Sequence, residues 1–382
     1  MALGQLVAER KRGFLLVANW PSDVGFAWWL MESYWAVLAH HYQDRFKFYL
    51  TFPEVNEIPE VVRNAPIEII QRHFGRGAVS DDLEFLRQYE IAAIYFSDRP
   101  VFDPRYRQFR KAGVEHIITH DHTPGQRTPP RGLKRWLKWL RIRLPGVSSD
   151  SAIGATEFVR QRTIDTNLMP ANRCFAVPNG LPRQTDNVVA DPDEQLGLPG
   201  DAVHMVMTGR ANPYKGLRFI LECLSEYRSR SEAKNLHFTL LGNGPILDDL
   251  RELASQLSIS HFTHFPGYIN NVNALLPGFD FAIHPSRGEV GYSLAILEYM
   301  RAGLPVIVPD NPSVCGATRH EQTGLIFPEG DRTACVNALQ RLTDDTELRS
   351  RLGAAAREDE QRFSLENAHR RLIEAVDATL AR

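Results

Sequence analysis

Two cations and two carboxylates in this chain fall where loops follow apolar runs, and their types suit phosphate and sugar oxygens. Arg210 and Lys215 lie in TGRANPYKG, after the run ending at Thr208. A guanidinium grips two oxygens at once and an ammonium is a compact point charge, so the pair fits a diphosphate. The plain alternative is a solvated basic loop. Glu289 and Glu298 lie in HPSRGEVGYSLAILEYMRAGLPVIV, which begins at His284. Glu289 belongs to a loop, where a carboxylate accepts hydrogen bonds from sugar hydroxyls. Glu298 belongs to a helix starting at about Ser293, where it can accept two bonds from a ribose. The first N–H groups of that helix, reached through Gly291, Tyr292 and Ser293, favour anionic oxygens. A dipole-stabilised helix acid and a surface glutamate are the plainer reading of these two acids. That reading leaves unexplained why both flank a glycine turn in a chain that also carries Arg210 and Lys215.

The glycines at the ends of apolar runs have a narrower use. Gly209 and Gly242, the latter in LLGNGP, let backbone approach a ligand closely. A GxG alone is equally well explained by a tight turn. The third glycine of the dinucleotide fingerprint is missing and no acid ends the following strand, which disfavours a nicotinamide or flavin. The only DxD, Asp191–Asp193, lies in a Pro-bearing stretch and not at a strand end. Arg210, Lys215 and helix N–H groups are therefore expected to neutralise phosphate without a bound metal. Cys174, Cys223, Cys315 and Cys335 are far apart and form no CxxC, which argues against a zinc site or disulfide framework and fits a reducing compartment.

Positioning these residues requires a regular scaffold, and the sequence alternates short apolar runs with amphipathic stretches. Buried strands are expected at 13–19, 46–52, 67–70, 92–96 and 115–120, then at 203–209, 236–242, 261–267, 279–286 and 305–310. Alternation of this kind implies α/β architecture with parallel sheets. After AVPNGLP (176–182) the chain turns polar to Gly200, which reads as a linker. The expectation is two doubly wound parallel-sheet domains facing a central cleft, with ligands outside the carboxyl ends of the strands.

TGRANPYKG, LLGNGP, FPGYI, the segment from His284 and TGLIFPEGD occur in an order that resembles family 4 (group 1) retaining nucleotide-sugar glycosyltransferases of GT-B fold. The resemblance covers roughly half the chain, 203–331 plus the turn at 178–180. It implies that Arg210 and Lys215 bind the diphosphate and that Glu298 holds the ribose. It implies no cofactor beyond a nucleotide-diphosphate-sugar donor, and a saccharide, lipid-linked or small-molecule acceptor. The family separates its two acids by seven residues, which counted back from Glu298 gives Val290; here the acid is Glu289, one position displaced. The domains implied are an acceptor-side domain 1–182, a linker 183–200, a nucleotide-sugar domain 201–363 and a final helix 364–382 packing back on the first.

The first half departs more from the family. Its first loop, NWPSDVGFAWW (19–29), holds only Gly25, whose backbone can approach phosphates, and Asp23, for which helix capping is the plain role. The family places a histidine near the reacting carbon at the end of the fifth strand. In THDHTPG (119–125) that residue is expected to be His120, with His122 second and a satisfied core histidine as the alternative. RGLKRWLKWLRIRLPG (131–146) puts Leu133, Trp136, Leu137 and Leu140 on one helical face and Lys134, Lys138 and Arg141 away from it. Such a helix either lies at an anionic membrane surface or packs its apolar face on the sheet. A formal charge of -2 gives no pull toward nucleic acid. No signal peptide or spanning segment is expected, so the location expected is cytoplasmic, with possible peripheral membrane contact through 131–143. The expected activity is sugar transfer with retention. A GT-B phosphorylase, a sugar-nucleotide epimerase and a non-catalytic GT-B scaffold are the alternatives.

Overall fold

The computed structural model describes residues 11–25, 28–183, 190–230 and 233–382. Most of the expected linker's first half, 184–189, lies outside them, as do Phe26 and Ala27 of the first loop.

Seven parallel strands form the first sheet: β1 (Arg12–Val17), β2 (Phe46–Phe52), β3 (Ile67–Gln71), β4 (Ile91–Ser97), β5 (His116–Asp121), β6 (Ser151–Gly154) and β7 (Cys174–Ala176). Their order is β3-β2-β1-β4-β5-β6-β7. Six parallel strands form the second: β8 (Val203–Thr208), β9 (Leu236–Leu241), β10 (Thr263–Gly267), β11 (Phe281–Ile283), β12 (Val306–Pro309) and β13 (Gly324–Phe327), in the order β10-β9-β8-β11-β12-β13. Helices cover both faces of a doubly wound sheet, so its strands read as continuous apolar runs. Phe14 to Val17 are wholly buried, as are Val306 to Val308. Each such side chain stabilises the fold by about 1.5–3 kcal/mol.

Strands β6, β7 and β13 were not among the expected ones. Ser151–Gly154, Cys174–Ala176 and Gly324–Phe327 are three or four residues long. Segments so short pair because their neighbours present an open edge, not because of their own periodicity. The strand expected over 279–286 is only Phe281–Ile283, since His284 onward already forms the loop. The strand expected over 261–267 starts at Thr263, after a single tight turn over Ser260–Phe262.

The chain divides into two units. One runs to His122 and takes in 127–178 and 368–382; the other comprises 123–126 and 179–367. The C-terminal helix, Leu365–Leu380, docks its later turns on the first unit. Asp377 accepts from the Tyr42 hydroxyl at 2.7 Å, and Thr379 donates to Ser151 at 2.8 Å. In the described part of the linker, Asp191 caps a short helix, Pro192–Leu196, by accepting from the Asp193 backbone N–H at 2.9 Å. The lone DxD thus has a structural use for its first acid.

Candidate active site

Strand order in the second sheet reverses between β8 and β11. At such a switch point the loops leaving two adjacent strands diverge and open a crevice at the carboxyl edge. The loop after β8 carries Gly209, Arg210 and Lys215; the loop after β11 carries His284 and Glu289. Lys215 and the displaced acid are therefore brought together by topology, although they are 74 positions apart.

Close backbone packing knits these loops. A Cβ on Gly242 would come within 2.0 Å of the Gly209 carbonyl oxygen, and one on Gly216 within 2.2 Å of that of Pro285. Gly216 also has φ of 75°, which a side chain resists. Leu241 accepts from the Gly209 N–H at 3.1 Å and Asn243 from that of Ala211 at 2.9 Å. Gly209 itself, at φ 134°, has open space where a Cβ would stand. Gly242 is thus needed for the fold of the loop pair, while Gly209 presents bare backbone.

Lys215 is buried, and its ammonium donates to Glu289 Oε1 at 2.6 Å. His284, wholly buried, donates from Nε2 to the same oxygen at 3.0 Å. Burial alone would push the Glu289 carboxyl up. The His284 hydrogen bond and the Lys215 charge outweigh it and hold the group at about 2. Burial lowers the His284 pKa, so the imidazole is neutral at pH 7 with its proton on Nε2. The Glu289 main chain is tied as well: its carbonyl accepts from the Gly125 N–H at 2.8 Å. Glu289 takes one of the three ammonium donors of Lys215, and Arg210 lies exposed in the same loop.

The helix Leu294–Ala302 starts beside this cluster, with Ser293 at its N-cap position and no side-chain cap. Its hold on the sheet is the Tyr299 hydroxyl, which accepts from the Thr208 N–H at 2.6 Å. Gly291, at φ 115°, donates to the Ser313 carbonyl at 2.8 Å. The Tyr292 side chain is buried, donates to the Asn179 carbonyl at 2.9 Å and packs edge-on against Phe363. A ligand contact through the Tyr292 ring, one way to read its place in the expected site, is thereby excluded in this conformation; its main chain remains at the helix start. Glu298 is half-buried. Burial raises its pKa, opposed only by the charge of Arg301, which itself pairs with Glu360 at 2.6 Å.

In the first unit the choice of His120 is corrected. It lies within β5 with no exposed surface, its Nδ1 hydrogen-bonded to the Tyr95 hydroxyl and its ring stacked on Tyr34. That is the core-histidine alternative. His122, two positions on and just past the end of β5, shares the side of His120; it is half-buried, its ring centre 4.2 Å from that of His120. Its backbone N–H donates to Asp98 at 2.6 Å. Burial, with the Asp121 charge adding, raises Asp98 to about 7 against the pull of that N–H. Gly25 is exposed at φ 67°, with open space around it. Asp23 does not cap the following helix: its carboxylate accepts from the Asn56 side chain at 3.0 Å.

Sequence reasoning gave no role to His284 or Asn311. His284 opens the HPSRGEV segment directly after β11, a signal that was present. Asn311 accepts from Gln126 at 2.9 Å and from both the N–H and hydroxyl of Ser313, and donates to Glu329. It braces the acid-bearing loop, a role that spans too many segments to read along the chain.

Residues 190–359 match the model of the glycosyl transferases group 1 family. The D-inositol 3-phosphate glycosyltransferase of Jonesia denitrificans is 26% identical over 191 residues, 48% of this chain and 45% of that protein. The UDP-Gal:alpha-D-GlcNAc-diphosphoundecaprenol alpha-1,3-galactosyltransferase of Escherichia coli is 29% identical over 246 residues, 63% of each. The chain spans about half the length of the first of these relatives. Anabaena Alr3699/HepE, solved with UDP and glucose, superposes with a TM-score of 0.71 at 14% identity, covering 96% of this chain and 100% of that one. The chain has a GT-B fold, and its residues 190–359 carry the group 1 glycosyl transferase segment.

Proposed function

We propose that the chain transfers a sugar from a nucleoside diphosphate donor to an acceptor hydroxyl with retention of anomeric configuration. The observation that carries this is the convergence of Arg210, Lys215 and the start of the 294–302 helix at the switch point of the second sheet. Charge builds on the diphosphate as the glycosidic bond breaks, and fixed cations and N–H groups stabilise it there. Glu298 accepts from the ribose hydroxyls. Glu289, ionised at any working pH, accepts from a sugar hydroxyl while orienting Lys215. It is already engaged by Lys215 and His284, which makes it a poor covalent nucleophile. Front-face attack assisted by the departing phosphate is then the route to retention. In the first unit, His122, which follows β5, is the imidazole to test first for a role in turnover, ahead of the wholly buried His120. No metal is required, because Arg210 and Lys215 supply the neutralising charge.

The UDP and glucose bound to Anabaena Alr3699/HepE and the UDP-Gal named for the Escherichia coli relative make UDP-sugars the first donors to try. The diphosphoundecaprenol acceptor of that relative favours a lipid-linked acceptor. Calorimetry with UDP, GDP, dTDP and ADP, followed by turnover of the matching donors with and without a chelator, tests this. The anomeric coupling constant of the product reads retention. Absence of binding to all four nucleotides overturns the proposal, and a dependence on inorganic phosphate would make the protein a phosphorylase.

A further inference from the structure

The helix Gly132–Ile142 is turned inside out relative to its domain. Of the large apolar side chains that stand exposed among the described residues, six of nine fall between 133 and 144. Leu133 is 71% exposed, Trp136 55%, Leu137 51% and Leu140 42%. At about 100° per residue these four share an arc of roughly 100°. Ile142, half a turn round from Leu133, is the buried one, set among Val101, Ala152, Met169 and Cys174. Lys138, on the same inner side, donates to Asn167 at 3.2 Å. The alternative of an apolar face packed on the sheet is therefore overturned: that face points to solvent.

Lys134, Arg141 and Arg143 flank the exposed stripe. Arg131, Lys134, Arg135, Lys138, Arg141 and Arg143 lie between 131 and 143, with no acid among them. Just beyond the helix a cavity of about 450 Å³ opens, with Leu144 on its wall. Arg110, Arg143, Arg173 and Arg382 line it against a single carboxylate side chain, Asp150. An apolar ridge beside a concentration of guanidinium groups matches a surface that is apolar within and anionic at its rim.

We propose that the 132–142 helix lies in the interface of an anionic bilayer, its leucines and Trp136 among the acyl chains and its cations among phosphate headgroups. Interfacial helices of this kind combine an apolar face, tryptophan and a basic polar side. A second copy of the chain fits worse, because pairing two such helices would bring the exposed Arg131, Lys134, Arg135, Arg141 and Arg143 of each copy together with no acid from the helix to offset them. Nothing in this docking depends on the transfer reaction. The helix has 11 residues, too few to span a bilayer, so the contact it makes is a surface one.

The test is flotation of the full chain with vesicles of phosphatidylcholine alone or mixed with phosphatidylglycerol. The expected result is at least tenfold stronger partitioning onto the mixed vesicles, weakened by salt because exposed charges are screened over about 8–10 Å. A blue shift of tryptophan emission should accompany it and vanish in a Trp136→Phe/Trp139→Phe variant. Leu133→Ser/Leu137→Ser/Leu140→Ser should lower partitioning at least tenfold. Its melting temperature should not fall, since these side chains are exposed. Lys134→Gln/Arg135→Gln/Arg141→Gln should remove the preference for anionic lipid. Wild type that ignores the mixed vesicles, or binds both kinds equally, overturns the proposal. So does concentration-dependent dimerisation in sedimentation that the serine variant abolishes while vesicles remain unbound.

Discussion

The carboxyl edges of the two sheets differ in chemistry although their backbones repeat one plan. In each sheet strand order reverses at one point, β1/β4 in the first and β8/β11 in the second. The second edge is ionic, with Lys215 at 2.6 Å and His284 at 3.0 Å from Glu289, and Arg210 in the same loop as Lys215. The first adds aromatics to its ions: Trp20 stacks on Trp28 at 3.7 Å and lies 5.9 Å from Trp35, while Asp121 pairs with Arg162 at 2.9 Å and Asp98 accepts from the His122 N–H. Strand order opens the crevice in both; the side chains of the loops decide what each crevice can hold. A loop pair carrying a lysine and an arginine suits a nucleoside diphosphate.

The sharpest way to break this contrast is at Lys215. Lys215→Ala should slow transfer by about 2–4 kcal/mol in barrier, as for loss of one charge-stabilising donor. It should also destabilise the fold by about 3–5 kcal/mol, because the Glu289 carboxylate is left buried with one partner fewer. Adding Glu289→Gln should recover most of the stability in chemical denaturation and none of the turnover. Turnover that recovers along with stability would show Lys215 to be a packing residue.

Protonation offers a comparison of similar size. Glu289 has its folded pKa lowered to about 2, so its contribution is fully present above the unfolded carboxyl range and is lost as pH falls toward 2. Asp98 has its folded pKa raised to about 7, so its effect has the opposite sign: the fold loses stability as pH rises from about 4 to 7. Each is on the order of a few kcal/mol. Asp98→Asn should flatten the loss between pH 4 and 7 in denaturant melts, and Glu289→Gln the gain between pH 2 and 4.5. An unchanged slope in either variant would refute the corresponding assignment.

Smaller effects separate binding from folding. Glu298→Gln should weaken nucleoside diphosphate binding by about 1–3 kcal/mol in calorimetry, through loss of a charged acceptor. Because burial already disfavours its charge, stability should hold. His122→Ala should reduce turnover about tenfold with little change in melting temperature. His120→Ala should lower stability by about 1–3 kcal/mol, because the Tyr95 hydroxyl loses its buried partner. The reverse pattern between the two histidines would restore His120 to the site.

Along the chain, whatever depends on near neighbours was readable. The apolar runs at 46–52 and 203–208 are strands because burial on both faces demands continuous apolar sequence. Arg210, Lys215 and Glu289 could be placed in loops because they follow such runs, and Glu298 on a helix because it lies in the stretch that follows the glycine turn at Gly291. The short strands β6, β7 and β13 could not be read, since pairing with a distant edge supplies what their own sequences lack.

The sequence by itself determined the α/β alternation, the positions of the charged loops and the basic, Trp-bearing helix, all of which rest on local periodicity and residue type. Tertiary structure alone decided which charges meet: Lys215 finds Glu289 only because parallel pairing sets β8 beside β11. It decided that His120 is enclosed, since Tyr95 and Tyr34, distant in sequence, pack against its ring. It also decided that the apolar face of the 132–142 helix looks outward. Periodicity gives a helix two faces, but only the contacts of Ile142 and Lys138 say which one the domain keeps.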